Sequence, residues 1–199
     1  RVHAAISPSI GPCCYEVAEP VRQQLAKAYP GRWEAWARPA RPDHRMLELG
    51  ISNDNFIVLH PWASNKEKEW PIERFKELAL RLYADTGMKL VLIGGKEEAK
   101  RAENFPSEVP VVNLVGKTTL IELAALLKKA KLLITNDSGP MHLAAVVGAP
   151  VVAIFRKSPQ AISARRWGPV GNKNIVLEND SLNNITVDEV LYGCKKLLN

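Results

Sequence analysis

From residue 55 onward the chain alternates short, β-branched apolar runs with stretches whose apolar residues recur at helical spacing, the pattern of parallel βαβ units. The runs FIVLH (56–60), KLVLIGG (89–95), VVNLVG (111–116), KLLIT (131–135), PVVAIF (150–155) and NIVL (174–177) predict six strands. Pro71 opens a helix with Phe75, Leu78, Ala79 and Leu82 on one face, and Gly87 is placed to end it. A charged helical segment is expected around 96–104, and a short helix from Pro140. Thr119 with Glu122, and Thr186 with Glu189, form capping-box patterns for helices over about 119–130 and over the closing run VDEVLYGCKKLL. The fold class these elements predict is α/β: a doubly wound, mainly parallel, Rossmann-like sheet over residues 51–199, with residues 1–50 as a short N-terminal appendage.

Crossovers in such a sheet are right-handed, and ligands bind beyond the carboxyl ends of the strands, near the point where strand order reverses. Two strand-to-helix loops are therefore candidates, 61–70 and 136–140. In the second, a polar turn joins a buried strand to a helix with Pro140 in its first turn and Gly148 at its end. Free N–H groups and the positive dipole end of that helix suit a phosphate, and Gly139 permits close approach of the backbone. Ser138 can donate a hydroxyl to the ligand or cap the helix. The residue types alone are equally served by an Asx turn that does no more than cap a helix, with His142 an ordinary partly buried histidine and Lys68 one more solvated lysine.

Composition narrows the function classes. With 46% hydrophobic and 24% charged residues among 199, the chain is an ordinary globular one. The net charge of +6 is scattered, without the one-sided basic stripe that nucleic acid requires. The longest apolar run, Leu143 to Phe155, is interrupted by Gly148 and Pro150 and is far shorter than the roughly 20 residues of a spanning helix. Cys13, Cys14 and Cys194 have neither a disulfide framework nor a zinc spacing, and a reducing compartment fits them. A chain that begins at Arg1 without a signal peptide reads as a fragment of something longer.

Four blocks in order carry a family resemblance. HPWASNKEKEWPIERFKELALRL (60–82), the pair LIGGKEE and VVNLVGKTTLIELAALLKKAKLLI, NDSGPMHLAAVVGAPVVAIF (136–155) and RRWGPVG (165–171) together resemble the C-terminal domain of glycosyltransferase family 9, the heptosyltransferases. The resemblance implies the nucleotide-sugar-binding half of a GT-B fold, with an ADP-heptose-like donor and a lipopolysaccharide-core sugar as acceptor. It implies inverting transfer with no required metal or cofactor, and a general base on an N-terminal domain that this chain lacks. Carried over, it places Asp137, Ser138, Gly139 and His142 around the donor diphosphate, Lys68 as a positive charge on the same phosphates, and Ser64 as a hydroxyl beside them. Lys68 and Asp137 are expected in exposed loops. Trp62 departs from the family's small glycine, and its bulk predicts an altered loop or an obstructed donor. A cytoplasmic enzyme, working at the inner face of the inner membrane and touching its surface, is the implied setting.

The first fifty residues show a different likeness. RVHAAISPSIGPCCYEVAEPVRQQL (1–25) resembles a segment of the laccase-domain, polyphenol oxidase-like proteins, whose His/Cys/His cluster would lie upstream of it. His3 and His44 have no ligand spacing and read as surface histidines. The Pro- and Arg-rich stretch 30–50 suggests a junction near residue 50. Two alternatives remain open to the transferase reading: a non-catalytic Rossmann-like scaffold, and an oxidoreductase or nucleoside phosphorylase fragment of the laccase-domain kind.

Overall fold

The computed structural model describes residues 46–51, 55–103, 105, 109–158 and 163–198. The chain divides between Glu48 and Leu49, and the unit Leu49–Asn199 carries everything below. His3, His44, Cys13 and Cys14, with the whole likeness drawn over residues 1–25, lie outside the described residues.

The elements follow in the order β1 (Phe56–His60), α1 (Ile72–Thr86), β2 (Lys89–Leu92), α2 (Ala99–Ala102), β3 (Val111–Asn113), α3 (Leu120–Lys129), β4 (Leu132–Asn136), α4 (Gly139–Val147), β5 (Val151–Arg156), α5 (Ala164–Trp167), β6 (Asn174–Asn179) and α6 (Val187–Leu198). Six strands form one sheet in the order β3-β2-β1-β4-β5-β6, and every neighbouring pair is parallel. The chain therefore starts at the middle of the sheet, runs out to β3, returns to β4 beside β1, and runs out the other way. The order reverses between β1 and β4, so their two carboxyl ends flank the crevice where a doubly wound sheet takes its ligand.

The continuous apolar runs are explained by burial on both faces: all five residues of β1 and all five of β4 are buried. One face presents Ile57, Leu59, Leu90, Leu92, Leu132, Ile134, Val152 and Ile154 to α1 and α6. Those two helices lie side by side, and α1 contributes the predicted Phe75, Leu78, Ala79 and Leu82. Their alternate neighbours turn to the other face, where α4 rests on β4 and β5 and packs against α3.

Local chemistry sets the element ends. α1 stops at Gly87, whose φ of +64° is left-handed and whose N–H reaches Tyr83 O at 2.8 Å. Thr119 and Glu122 close a reciprocal capping box on α3. Thr186 and Glu189 do the same before α6, and the Thr186 backbone N–H holds the Glu189 carboxyl below its usual range. The charged segment expected as a helix over 96–104 is instead a three-residue 3-10 turn, Lys96–Glu98, followed by the single turn of α2. Among its described residues only Ala102 is buried, too little apolar surface to offset the cost of nucleating a longer helix.

Candidate functional site

Both candidate loops leave the sheet at the switch point, and the residues between them tie the two together. β1 and β4 pair in register so that His60 stands beside Thr135. The next residue of β4, Asn136, is fully buried and clamps the loops: its Nδ2 donates to Pro61 O at 2.8 Å and its Oδ1 accepts from Trp70 N at 3.0 Å. Trp70 anchors the far end of the first loop, packing edge-on against Phe75 and donating Nε1–H to Ile185 O at 2.9 Å. Glu69 accepts from the Ala63 backbone N–H at 3.1 Å and also from both terminal guanidinium nitrogens of Arg101.

Lys68 crosses from the first loop to the second and donates to Asp137 Oδ2 at 2.6 Å. Its side chain is 22% exposed and that of Asp137 only 9%, so the carboxylate lies buried rather than in an exposed loop as expected. The cause is the course of β4, whose buried run continues three residues beyond the apolar part of the sequence, through Thr135 and Asn136 to Asp137. A buried carboxylate needs a partner, and Lys68 supplies it.

Ser138 occupies the N-cap position of α4 with extended backbone, yet its side chain makes no bond to the helix amino end. Its Oγ lies instead 3.0 Å from His60 Nδ1 and 2.9 Å from Thr135 Oγ1. The plain capping role is thereby removed. Gly139 begins α4, and a Cβ there would meet nothing within 4 Å, so the space over the helix start is open. No acidic residue lies in the first turn of α4 itself. His142 and Ser64 are both exposed, His142 in that first turn and Ser64 at the tip of the first loop. Of the six residues singled out in the sequence, the structure joins Lys68 to Asp137 directly and sets Ser138 and Gly139 next in the chain. Ser64 and His142 share only the same end of the sheet.

His60, Thr135 and Asn136 were not among those six. His60 is 6% exposed, and burial drives its pKa down to about 4, a shift the nearby Glu69 charge opposes only in part. The signal for it was visible as the first residue of the HPWASN block. Trp62 turns inward: its indole is 1% exposed, stands edge-on to the His60 ring, and fills the space over Gly94, where a Cβ would come within 2.8 Å of the ring. The glycine at 94 admits the ring beneath the loop. Its Nε1 has no hydrogen-bond partner among the described residues.

A six-stranded, all-parallel, doubly wound sheet, with a helix amino end and a lysine at its switch point, defines a Rossmann-like α/β domain. The chain belongs to glycosyltransferase family 9 (heptosyltransferase), whose family model matches residues 17–191. The match begins well inside the segment 1–50, and the laccase-domain likeness finds no support beside it. Lipopolysaccharide heptosyltransferase 3 of Escherichia coli is 30% identical over 162 residues, covering 78% of this chain and 44% of that protein. The structure of E. coli ADP-heptose lipopolysaccharide heptosyltransferase II matches with a TM-score of 0.70 at 26% identity, over 80% of this chain and 51% of that one. The UDP-GlcNAc 2-epimerase of Methanocaldococcus jannaschii, at 16% identity and a TM-score of 0.60 over 83% of this chain and 45% of that one, shares the fold alone. The chain spans about half the length of the relatives it matches. Among the described residues no helix is long and apolar enough to cross a membrane.

Proposed function

We propose that this chain is the donor-binding half of a heptosyltransferase and takes an ADP-sugar, ADP-heptose or a close relative, with Lys68, Asp137, Ser138, Gly139, His142 and Ser64 around its diphosphate. The observation that carries this reading is the Lys68–Asp137 bridge at the switch point, immediately before the open amino end of α4. A carboxylate alone would repel a diphosphate. Paired at 2.6 Å, it holds an ammonium in place whose remaining N–H donors can serve phosphate oxygens. The family's E. coli member named for ADP-heptose supports the adenine nucleotide, whereas the epimerase's shared fold shows that architecture alone does not select the base.

The chemistry follows from where charge develops. As the glycosidic bond to the leaving diphosphate breaks, negative charge grows on the phosphate oxygens. Lys68 and the helix amino end then interact more strongly with the transition state than with the bound donor, which is the condition for accelerating the reaction. The acceptor is read as a lipopolysaccharide-core sugar presented at the cytoplasmic face of the inner membrane, where the full enzyme would touch the membrane surface, and the base that activates its hydroxyl belongs to the acceptor-binding half. A thermal-shift titration with ADP, ADP-sugar, UDP and GDP tests the donor assignment. Ligand at 100 times its dissociation constant adds about 2.7 kcal/mol to the folded state, so binding is readily seen. A shift selective for adenine nucleotides is expected; no shift with any of them returns the chain to the scaffold reading.

A further inference from the structure

His60, Thr135 and Ser138 form a closed triangle of side chains at the start of the second loop. His60 Nδ1 lies 3.0 Å from Ser138 Oγ and 3.3 Å from Thr135 Oγ1, and the two hydroxyl oxygens are 2.9 Å apart. A fourth bond leaves the triangle: Thr135 Oγ1 donates to Asn136 O at 2.9 Å. Counting protons decides how the triangle is wired. Thr135 has one hydroxyl proton, and Asn136 O takes it, so Thr135 can only accept from the other two groups.

If Nδ1 were bare, the single proton of Ser138 would have to serve both His60 and Thr135, and the His60–Thr135 contact would hold no proton at all. If Nδ1 carries the hydrogen, His60 donates to Ser138 Oγ, with Thr135 as a weaker second acceptor, and Ser138 donates to Thr135. Every contact then has its proton. Burial keeps the ring neutral, so one nitrogen is protonated and the other bare.

From this wiring we propose that His60 is a positioning residue for Ser138: its Nδ1–H fills the lone pair of Ser138 Oγ, so that the hydroxyl proton is free to turn from Thr135 to a phosphate oxygen of the donor. The proposal rests on the donor-site reading above and adds to it the group that sets the hydroxyl's direction. Ser138 precedes the open helix start at Gly139, which is where a phosphate would lie. In the opposite tautomer the same serine would spend its proton on His60 and face the phosphate with lone pairs. The parallel register of β1 and β4 builds the arrangement, since it sets His60 directly beside Thr135.

Two measurements on the full 199-residue chain test this. The first needs no ligand: long-range proton–nitrogen spectra of the 15N-labelled protein near pH 7 read the tautomer of the one buried histidine among the described residues, assigned by its loss in His60→Asn. Nδ1–H is expected, and Nε2–H overturns the proposal. The second is the dissociation constant for ADP in His60→Leu, His60→Asn, Ser138→Ala and the double variant His60→Leu/Ser138→Ala. Asn carries an N–H at the position of Nδ1, so it should bind ADP within about threefold of the unaltered chain, while Leu should lose about tenfold, the scale of one hydrogen bond to a charged ligand. In the Ser138→Ala background, His60→Leu should cost less than about twofold further, because the histidine acts through the serine. An equal loss in both backgrounds overturns the proposal, since a general structural defect does not depend on Ser138. Absence of ADP binding in the unaltered chain would refute the donor-site reading instead, and the tautomer would still decide the wiring.

Discussion

Lys68 and Asp137 stand 69 residues apart in sequence and 2.6 Å apart in space, and their bridge joins the loop after β1 to the loop after β4 across the switch point of the sheet. The pair is asymmetric, because the carboxylate is the more deeply buried partner. Lys68→Ala should therefore do two things. It should lower stability by about 1–2 kcal/mol, the cost of a mostly buried carboxylate left without its countercharge. It should also weaken ADP binding by about tenfold or more, through the lost charge-assisted contact. Adding Asp137→Asn to Lys68→Ala should restore most of the stability, but only that part of the affinity lost to repulsion between the unpaired carboxylate and the diphosphate. Urea unfolding and calorimetric titration separate the two effects. Unchanged affinity in Lys68→Ala would remove the lysine from the site.

Two N-cap residues offer a controlled contrast. Thr119 accepts from the Glu122 backbone N–H at 3.3 Å and is a true cap, whereas Ser138 makes no such bond to α4. Thr119→Ala should cost about 1 kcal/mol of stability and leave ADP binding untouched. Ser138→Ala should cost no more stability than that and should weaken ADP binding. If Ser138→Ala lowers stability alone, the loop serves the helix and not a ligand.

The space under the first loop makes a third prediction. Trp62 and Gly94 are fitted to one another, with no room for a Cβ at 94. Gly94→Ala should destabilise by about 1–3 kcal/mol through overpacking, and Trp62→Ala by about 3–5 kcal/mol through the cavity it leaves. Combined, the two should cost clearly less than their sum, because the small residue at 62 admits the methyl at 94. Strict additivity in thermal unfolding would show that the indole does not occupy this space in solution.

What the sequence made legible, and what it hid, divides along the range of the interaction. The bounds of β1, the buried face of α1 and the caps at Thr119 and Thr186 are local, written in spacing over a few residues, and the structure reproduces them. Lys68, Asp137, Ser138 and Gly139 were legible as residue types suited to a phosphate, but not in their connections. Nothing local tells that Asp137 is buried, that Asn136 bonds Pro61 and Trp70, or that Ser138 turns away from its helix to His60. Those facts depend on the pairing of β1 with β4, which brings together the two loops that follow them and so bonds residues 66 to 78 positions apart. The inward turn of Trp62 likewise depends on a glycine one strand away.

His60 gives the pH dependence of stability a definite sign. Its pKa falls from 6.5 to about 4 on folding, chiefly because burial disfavours the charged ring. Above pH 6.5 the ring is neutral in both states and folding involves no proton. As pH falls below 6.5 the unfolded chain takes up a proton that the folded chain refuses, so stability is lost progressively until the folded ring also protonates near pH 4. Between pH 7 and pH 5 this one group should remove about 2 kcal/mol. His60→Asn keeps a donor toward Ser138 but does not titrate. Its unfolding free energy, measured in urea at both pH values, should therefore fall by about 2 kcal/mol less than that of the unaltered chain, since the carboxylates and remaining histidines contribute equally to both. Equal pH dependence in the two proteins would mean that His60 is solvated, and the buried triangle with Thr135 and Ser138 would not hold in solution.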